Sequence, residues 1–145
     1  MRKSAMLLAA FLFTTICFAQ VKDPVQWNFS SKKIDATTYE VHLMAAIDAG
    51  WHLYSQTTPY GGPVATSIAF TKNPLVTPQG SAKEVGKLEK HFESLFGVDV
   101  KQFSNKVDFV QTVKVKGSIK TTLNGTVEYM TCNDHECLPP TTRKF

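Results

Sequence analysis

The sequence predicts an all-β protein whose strands pack as a β-sandwich, and three observations support this prediction. Apolar and polar side chains alternate along several segments, which is the pattern of strands with one buried face. Turn-forming residues, chiefly Gly, Pro, Asn and Asp, separate these segments. The segments follow one another without an internal repeat or an interdomain linker, so we expect a single domain.

The N-terminus has the organisation of a secretory signal peptide over residues 1–19. Two basic residues precede an apolar run from Ala5 to Ala19, and the polar Gln20 follows. This run is shorter than the roughly 20 apolar residues that a membrane span needs. Cleavage after Ala19 would leave one domain over residues 20–145, which we expect to be exported and not inserted into lipid.

The charge balance excludes a nucleic-acid-binding surface. The formal net charge of +4 would fall to about +2 once the signal peptide leaves with Arg2 and Lys3. The lysines scatter along strand-like segments, as on a solvated face, and no basic stripe alternates with aromatic residues. We therefore expect no polyanionic partner.

Three longer segments show the alternation most clearly. The segment TYEVHLMAAI (38–47) places five apolar side chains on one face of a strand: Tyr39, Val41, Leu43, Ala45 and Ile47. The segment KVDFVQTVKVKG (106–117) repeats the pattern, interrupted only by Gln111, and NGTVEYMTC (124–132) places Cys132 on the opposite face from Tyr129. Shorter strands are expected in VQWNFS, WHLYS and TSIAFTK.

The stretch from 82 to 97, AKEVGKLEKHFESLFG, does not follow this pattern. Its apolar residues recur at helical spacing: Val85, Leu88, Phe92, Leu95 and Phe96. Gly86 and the lack of an N-cap residue argue against a regular helix. We expect either a short helix or a structured cap loop here.

Cys132 and Cys137 are the two cysteines that remain once the signal peptide leaves with Cys17. In an oxidising compartment they are expected to form a disulfide. The bond would close a loop of about six residues and contribute only about 2 kcal/mol in the chain-entropy model. A bond that restrains so little of the chain can open without unfolding the domain, as a redox carrier requires. The purely structural disulfide of a secreted binding module is the alternative.

A metal site is the third interpretation of the same segment. Cys132, His135 and Cys137, with Asp134 as a fourth ligand, would suit zinc or copper(I). No second Cys or His cluster lies nearby in the sequence to complete that site, so no metal is expected. In a redox site, Asp134 and Glu136 would disfavour a thiolate and His135 would partly offset them, so these three residues would tune the thiols.

The C-terminal segment VEYMTCNDHECLPPTTRKF resembles the end of the N-terminal periplasmic domain of the DsbD thiol–disulfide interchange reductases, a family also called disulfide bond corrector proteins. Upstream, DAGWHLYSQ resembles the Asp-Gly-aromatic-aromatic-Leu-Tyr strand of that family, and ESLFG its acidic-aromatic-Gly cap loop. The similarity covers nearly all of the mature chain. It implies an immunoglobulin-like β-sandwich with a redox-active cysteine pair and no other cofactor.

The resemblance also implies roles for single residues. Cys132 and Cys137 match the active pair, in which Cys137 would form mixed disulfides with partners and Cys132 would resolve them. His52 and Tyr54 match aromatic positions near that pair, although His52 stands where a tyrosine is usual. Glu93 occupies a nearby acidic position.

The cap that shields the cysteines in this family matches Leu95 and Phe96. Leu95 stands where the family has an aromatic residue, so Phe96 or Phe92 would take over the shielding.

The partners of the family define the expected activity. A membrane-embedded domain and a thioredoxin-like domain deliver reducing equivalents to this domain, which reduces periplasmic thioredoxin-fold proteins such as disulfide isomerases and cytochrome c maturation factors. The resemblance therefore implies a periplasmic protein-disulfide reductase component, with thioredoxin-fold partners and a membrane-linked thiol reductant. Those two other domains would act in trans or within a longer chain.

Overall fold

The computed structural model describes residues 22–117 and 119–145, so the expected signal peptide (1–19) lies outside the described residues. Every regular element in the described part of the chain is a β-strand, and none of its segments forms a helix able to cross a membrane. The strands are β1 (Val25–Lys33), β2 (Thr38–Ile47), β3 (His52–Tyr54), β4 (Ser67–Phe70), β5 (Val76–Pro78), β6 (Lys83–Gly86), β7 (Glu89–Glu93), β8 (Val98–Ser104), β9 (Lys106–Val115), β10 (Gly125–Tyr129), β11 (Thr131–Cys132) and β12 (Thr141–Lys144).

The strands form two packed layers. One layer is a five-stranded sheet in which β2 pairs with β1 and β9, while β5 and β6 both pair with β9. The other layer consists of two smaller sheets, with strand orders β12-β10-β4 and β11-β3-β8-β7. Only Met130 separates β10 from β11, so the two smaller sheets are joined through one nearly continuous strand. This architecture confirms the predicted all-β sandwich.

The main core lies between the two layers. Leu43 and Ala45 of β2 and Phe109 of β9 face Leu53 of β3 and Val127 of β10, and all five are 0% exposed. The core side chains of β2 and β9 occupy the alternating positions that the sequence predicts. Burial of apolar surface at about 25 cal/mol per Å² is the dominant stabilising contribution here.

Gln111 interrupts the apolar face of β9 without leaving a buried polar group unpaired. It is 3% exposed. Its side-chain amide donates hydrogen bonds to the backbone carbonyls of Thr112 at 2.8 Å and Gln79 at 3.0 Å. The hydrogen bonds offset the cost of desolvating the amide and tie β9 to the loop that follows β5.

The helix considered for residues 82–97 is wrong, because this stretch forms β6, β7 and a turn. β6 pairs with β9, and β7 pairs with β8. Gly86 lies so close to β9 that an added Cβ would be 3.1 Å from the carbonyl oxygen of Lys106. The residues at helical spacing do not form a buried stripe, since four of them are exposed: Val85, Leu88, Phe92 and Leu95. The turn after β7 fits the other expectation, a structured cap.

The sheet β11-β3-β8-β7 has different side chains on its two faces. Successive residues of a strand point to opposite faces, so Leu53 enters the main core while Tyr54 points away from it. The outer face carries a second apolar cluster, formed by Tyr54, Val100 and Cys132 and called the outer cluster below. Alternate residues of β3 and β8 therefore face the main core, and the residues between them form a separate cluster on the outer face of the sheet.

Candidate redox site

Cys132 and Cys137 form a disulfide across a tight hairpin. The two residues face each other in an antiparallel β-bridge, with their Cα atoms 4.0 Å apart. The Leu138 N–H donates to the Thr131 carbonyl at 2.9 Å and continues the pairing. Cys132 is 0% exposed, whereas Cys137 is half-buried. Cys137 is therefore the more exposed of the two cysteines.

Asn133 organises the loop between the cysteines. Its side-chain oxygen accepts hydrogen bonds from the backbone N–H groups of His135 at 2.8 Å and Glu136 at 2.9 Å. Its own N–H donates to the Glu136 carbonyl at 2.9 Å. Asparagine favours such turns because its side chain imitates a backbone carbonyl. Sequence reasoning missed this role, although an asparagine directly after a strand is a turn signal.

The three loop residues expected to tune the thiols lie at the surface. Asp134 and His135 are exposed, and Glu136 is half-buried. Glu136 forms an ion pair with the exposed Lys22. The structure places these side chains on the solvent side of the disulfide, and His135 does not join Cys132 in a group of metal ligands within the described residues.

Three of the predicted site residues form a buried polar group beside Cys132. Tyr54 donates its hydroxyl hydrogen to Oε2 of Glu93 at 3.0 Å. Nε2 of His52 lies 3.2 Å from the Tyr54 hydroxyl and 3.5 Å from Oε2 of Glu93. His52, Tyr54 and Glu93 are 8%, 0% and 5% exposed. One ligand atom each of His52, Glu93 and Cys132 lies within 4.8 Å of the other two.

Strand pairing explains why these side chains meet. Cys132 lies opposite His52 in the pairing of β11 with β3. Tyr54 lies opposite Gln102 in the pairing of β3 with β8. Residues directly opposite each other share a face, and the next-but-one residues of each strand share it too. Glu93 lies opposite Val98 in the pairing of β7 with β8. These three registers together direct the polar group and the buried sulfur to the outer face.

Burial controls the ionisation of His52 and Tyr54. Desolvation lowers the pKa of His52, and the neighbouring Glu93 carboxylate only partly opposes it. The imidazole is therefore neutral at neutral pH. Desolvation, reinforced by the negative charge of Glu93, raises the pKa of Tyr54 far above its usual value. The phenol consequently keeps its hydrogen and continues to donate to Glu93.

Phe96 covers the outer cluster, together with Val98. The turn that presents Phe96 is closed by the Glu93 carbonyl, which accepts from the N–H groups of Phe96 at 3.2 Å and Gly97 at 2.8 Å. Gly97 has a φ of 69°, a conformation that glycine adopts without steric cost. The glycine of the ESLFG segment thus allows the chain to turn back sharply and place the phenylalanine against the site.

The other two cap candidates do not pack on the outer cluster. Leu95 is 55% exposed and Phe92 is 58% exposed. Phe92 directly precedes Glu93 in β7, so its side chain points to the opposite face of the sheet. Val98 and Met130 do contact the cluster, and sequence reasoning did not select them. Val98 at the start of β8 and Met130 between β10 and β11 can be identified only once the register of these strands is known.

Comparisons with known proteins identify the family and the fold of the chain. The family model described as "Thiol:disulfide interchange protein DsbD, N-terminal" matches residues 19–145, which confirms the resemblance seen in the sequence. No curated protein sequence matches the chain.

Solved structures share the fold. The N-terminal periplasmic domain of ScsB from Proteus mirabilis superimposes with a TM-score of 0.57 at 19% identity, covering 85% of this chain and 45% of that one. The chain therefore spans less than half of the ScsB chain. The reduced DsbD N-terminal domain of Neisseria meningitidis gives 0.52 at 16% identity, covering 76% of this chain and 82% of that one. A complex between the DsbD N-terminal and PilB N-terminal domains from Neisseria meningitidis gives 0.50 at 14% identity, covering 82% and 80%. These likenesses confirm the immunoglobulin-like sandwich.

Proposed function

Because the chain belongs to the family of the N-terminal domain of the thiol:disulfide interchange protein DsbD, we propose that it passes reducing equivalents through Cys132 and Cys137 to thioredoxin-fold partner proteins. One observation carries the proposal. The disulfide closes a small loop at a sheet edge, with Cys137 half-buried and Cys132 fully buried behind it. That arrangement supports different roles for the two cysteines, with Cys137 attacking the partner and Cys132 resolving the mixed disulfide.

The exchange begins from the reduced pair. The Cys137 thiolate attacks one sulfur of the partner disulfide, so a bond forms between Cys137 and the partner while the partner's own disulfide breaks. The departing partner sulfur takes up a proton and becomes a thiol. Cys137 suits this step because it is the more exposed of the two cysteines.

Cys132 completes the exchange. Its thiolate attacks the Cys137 sulfur, which forms the Cys132–Cys137 disulfide and releases the second partner thiol. The partner gains two electrons and two protons, and this protein loses them. Cys132 suits the step because it is buried next to Cys137, where its sulfur meets that of Cys137 before any external thiol.

The turn that carries Leu95 and Phe96 would control which molecules reach the cysteine sulfurs. Phe96 packs on the outer cluster and would limit the approach of small oxidants to the sulfurs. Leu95 is exposed on the same turn, where a partner protein would touch it first. A partner that displaces the turn would gain access to the two cysteine sulfurs. Access matters because the rate of thiol–disulfide exchange depends on it as well as on nucleophilicity.

Partners and location follow from the same family. The Neisseria complex of a DsbD N-terminal domain with a PilB N-terminal domain supports a protein as the electron acceptor. The partners we propose are thioredoxin-fold proteins of the disulfide isomerase or cytochrome c maturation type, with a membrane-linked thiol reductant as the electron source. The protein would act in the periplasm as a component of a protein-disulfide reductase, after removal of residues 1–19.

A trapping experiment tests the proposal. In Cys132→Ala the resolving thiol is missing, so a purified thioredoxin-fold disulfide isomerase should accumulate as a mixed disulfide on Cys137. Cys137→Ala is the matched control and should form no such species. An absence of mixed disulfide in Cys132→Ala, with the fold intact by circular dichroism, would contradict the assignment.

Reduction separates the proposal from a purely structural disulfide. A redox carrier should equilibrate with a glutathione buffer, because its bond is accessible and restrains little of the chain. Structural disulfides of secreted proteins resist the glutathione pool. A pair that stays oxidised in excess reduced glutathione would favour the binding-module alternative.

A further inference from the structure

The buried group beside the disulfide contains three different metal-ligand side chains. His52, Glu93 and Cys132 each contribute one ligand atom, and these atoms lie within 4.8 Å of one another. Within residues 22–117 and 119–145 this is the one grouping of three such side chains. All three residues are buried, at 8%, 5% and 0% exposure. The site that the sequence considered, around His135, is not this one.

We propose that the reduced protein binds one zinc ion through His52, Glu93, Cys132 and Cys137. The oxidised protein would not, because a disulfide sulfur is not a thiolate and only a thiolate is a strong ligand. The site requires that the disulfide be reduced and does not depend on which partner reduces it.

The donor chemistry selects the metal. Zinc is borderline-soft and accepts thiolate, imidazole and carboxylate ligands in one tetrahedral site. Copper(I) favours soft sulfur ligands and gains little from a carboxylate such as Glu93. Calcium and magnesium require sets of oxygen ligands, which this site does not supply. The mixed set of sulfur, nitrogen and oxygen therefore points to zinc.

The distances suit zinc after a small adjustment. Zinc lies about 2.0–2.3 Å from its ligands, so tetrahedral ligand atoms lie roughly 3.4–3.8 Å apart. The separations of up to 4.8 Å therefore need to shrink by about 1.4 Å at most, within the reach of side-chain rotation. The Cys137 sulfur lies outside that group in the oxidised protein, and once the bond to Cys132 is reduced it would rotate to supply the fourth ligand.

The negative charge of the four ligands also favours a divalent metal such as zinc. Glu93 carries a buried carboxylate, and among the described residues only His52, and no lysine or arginine, lies within ion-pairing distance of it. Two cysteine thiolates would add negative charge in the same low-dielectric place, at high cost unless a cation joins them. A divalent metal neutralises that charge and displaces the two thiol protons to solvent.

The surroundings provide support for the ligands. The Tyr54 hydroxyl donates to Oε2 of Glu93 at 3.0 Å and would orient the carboxylate. Phe96 and Val98 cover the outer cluster and would keep water from the metal. With four protein ligands the site would be closed, which is typical of zinc that is held and not used for catalysis. Bound zinc would hold the cysteines reduced and withhold them from exchange.

Zinc titration of the oxidised and reduced protein against a chromogenic chelator tests the inference. We expect one equivalent of zinc in the reduced protein and none in the oxidised form. Cobalt offers a second readout on the unmodified protein, because tetrahedral thiolate coordination produces intense visible and charge-transfer absorption. A reduced protein that binds neither ion would overturn the site.

Substitutions identify the ligands. Changing an outer-shell partner typically costs about 10–100-fold in metal affinity, so His52→Asn and Glu93→Gln should each weaken zinc binding by at least about 100-fold. His135→Ala is the control for the alternative site and should bind zinc as the reduced wild type does. The opposite ranking, with His135→Ala weakened and His52→Asn unchanged, would refute the assignment.

One variant separates this inference from the proposed exchange. Cys137→Ser cannot form the disulfide or exchange it, yet it keeps Cys132, His52 and Glu93. It should bind zinc without prior reduction, more weakly than the reduced wild type. If Cys132→Ala traps a partner but no form of the protein binds zinc, only the metal site is refuted. If zinc binds but no partner is trapped, only the exchange function is refuted.

Discussion

Cys132 lies directly opposite His52 in the pairing of β11 with β3, so the buried sulfur and the imidazole share the outer face of one small sheet. Leu53, the next residue of β3, belongs to the main core on the other face. We therefore expect changes at the disulfide to act on the polar group of the outer face and to leave the core between the layers intact.

Reduction of the disulfide should leave the sandwich folded. The loop that it closes has about six residues, and the chain-entropy model gives about 2 kcal/mol for its opening. Urea unfolding of the oxidised and reduced protein should show a loss of about that size in the free energy of unfolding. A double variant with both cysteines changed to serine should not respond to the reductant. Loss of the folded circular dichroism spectrum on reduction would contradict the prediction.

Tyr54→Phe should destabilise the protein through Glu93. The change removes the hydroxyl that donates to the buried carboxylate at 3.0 Å and leaves that acceptor poorly satisfied. The expected loss in the free energy of unfolding is about 1–3 kcal/mol, measured by urea unfolding at neutral pH. Tyr60→Phe makes the same chemical change at a fully exposed position and should stay within about 0.5 kcal/mol of wild type. Equal effects of the two variants would show that Tyr54 supports no buried charge.

Phe96→Ala should expose the reduced cysteines. Removal of the ring that packs on the outer cluster opens the approach to the sulfurs, so alkylation of the reduced protein by iodoacetamide should become faster. The ring is half-buried, and we expect a loss of about 1–2 kcal/mol, less than for a fully buried phenylalanine. Leu95→Ala changes an exposed neighbour on the same turn and should leave the alkylation rate unchanged. If the two variants react alike, Phe96 is not the cap.

The stability of the oxidised protein should fall as the pH is lowered below about 6.5. Burial lowers the pKa of His52 in the folded state, so the unfolded chain, with its ordinary histidine pKa, binds a proton first. Stability increases with pH wherever the unfolded state binds more protons than the folded state. On acidification, the free energy of unfolding should therefore continue to fall until the pH reaches the pKa of His52 in the folded protein. Urea unfolding midpoints between about pH 5 and about pH 7.5 measure this dependence.

His52→Asn cannot titrate in this range, so its midpoint should vary less with pH than that of the wild type. His135→Asn replaces an exposed histidine and should keep the dependence of the wild type. A wild-type midpoint that rises on acidification would mean that His52 gains, and does not lose, protonation on folding.

Local patterns in the sequence predict much of the sandwich. The alternation over 38–47 corresponds to β2 (Thr38–Ile47), and that over 106–117 contains β9 (Lys106–Val115). The stretch 82–97 has a misleading local pattern, because its apolar residues recur at helical spacing but four of the five stay exposed in short strands and the connections between them. Pairing with β9 and β8 determines the structure there, and local propensity does not report such pairing.

The alternating strands and the short loop between the two cysteines can be predicted from the sequence, because they depend on residues that are neighbours along the chain. The fold alone brings Cys132 close to His52 and Glu93, packs Phe96 and not Leu95 on the outer cluster, and leaves His135 exposed. Those contacts depend on the registers of β3, β7, β8 and β11, which come from distant parts of the chain. A shift of one residue in any register would turn every side chain of that strand to the other face.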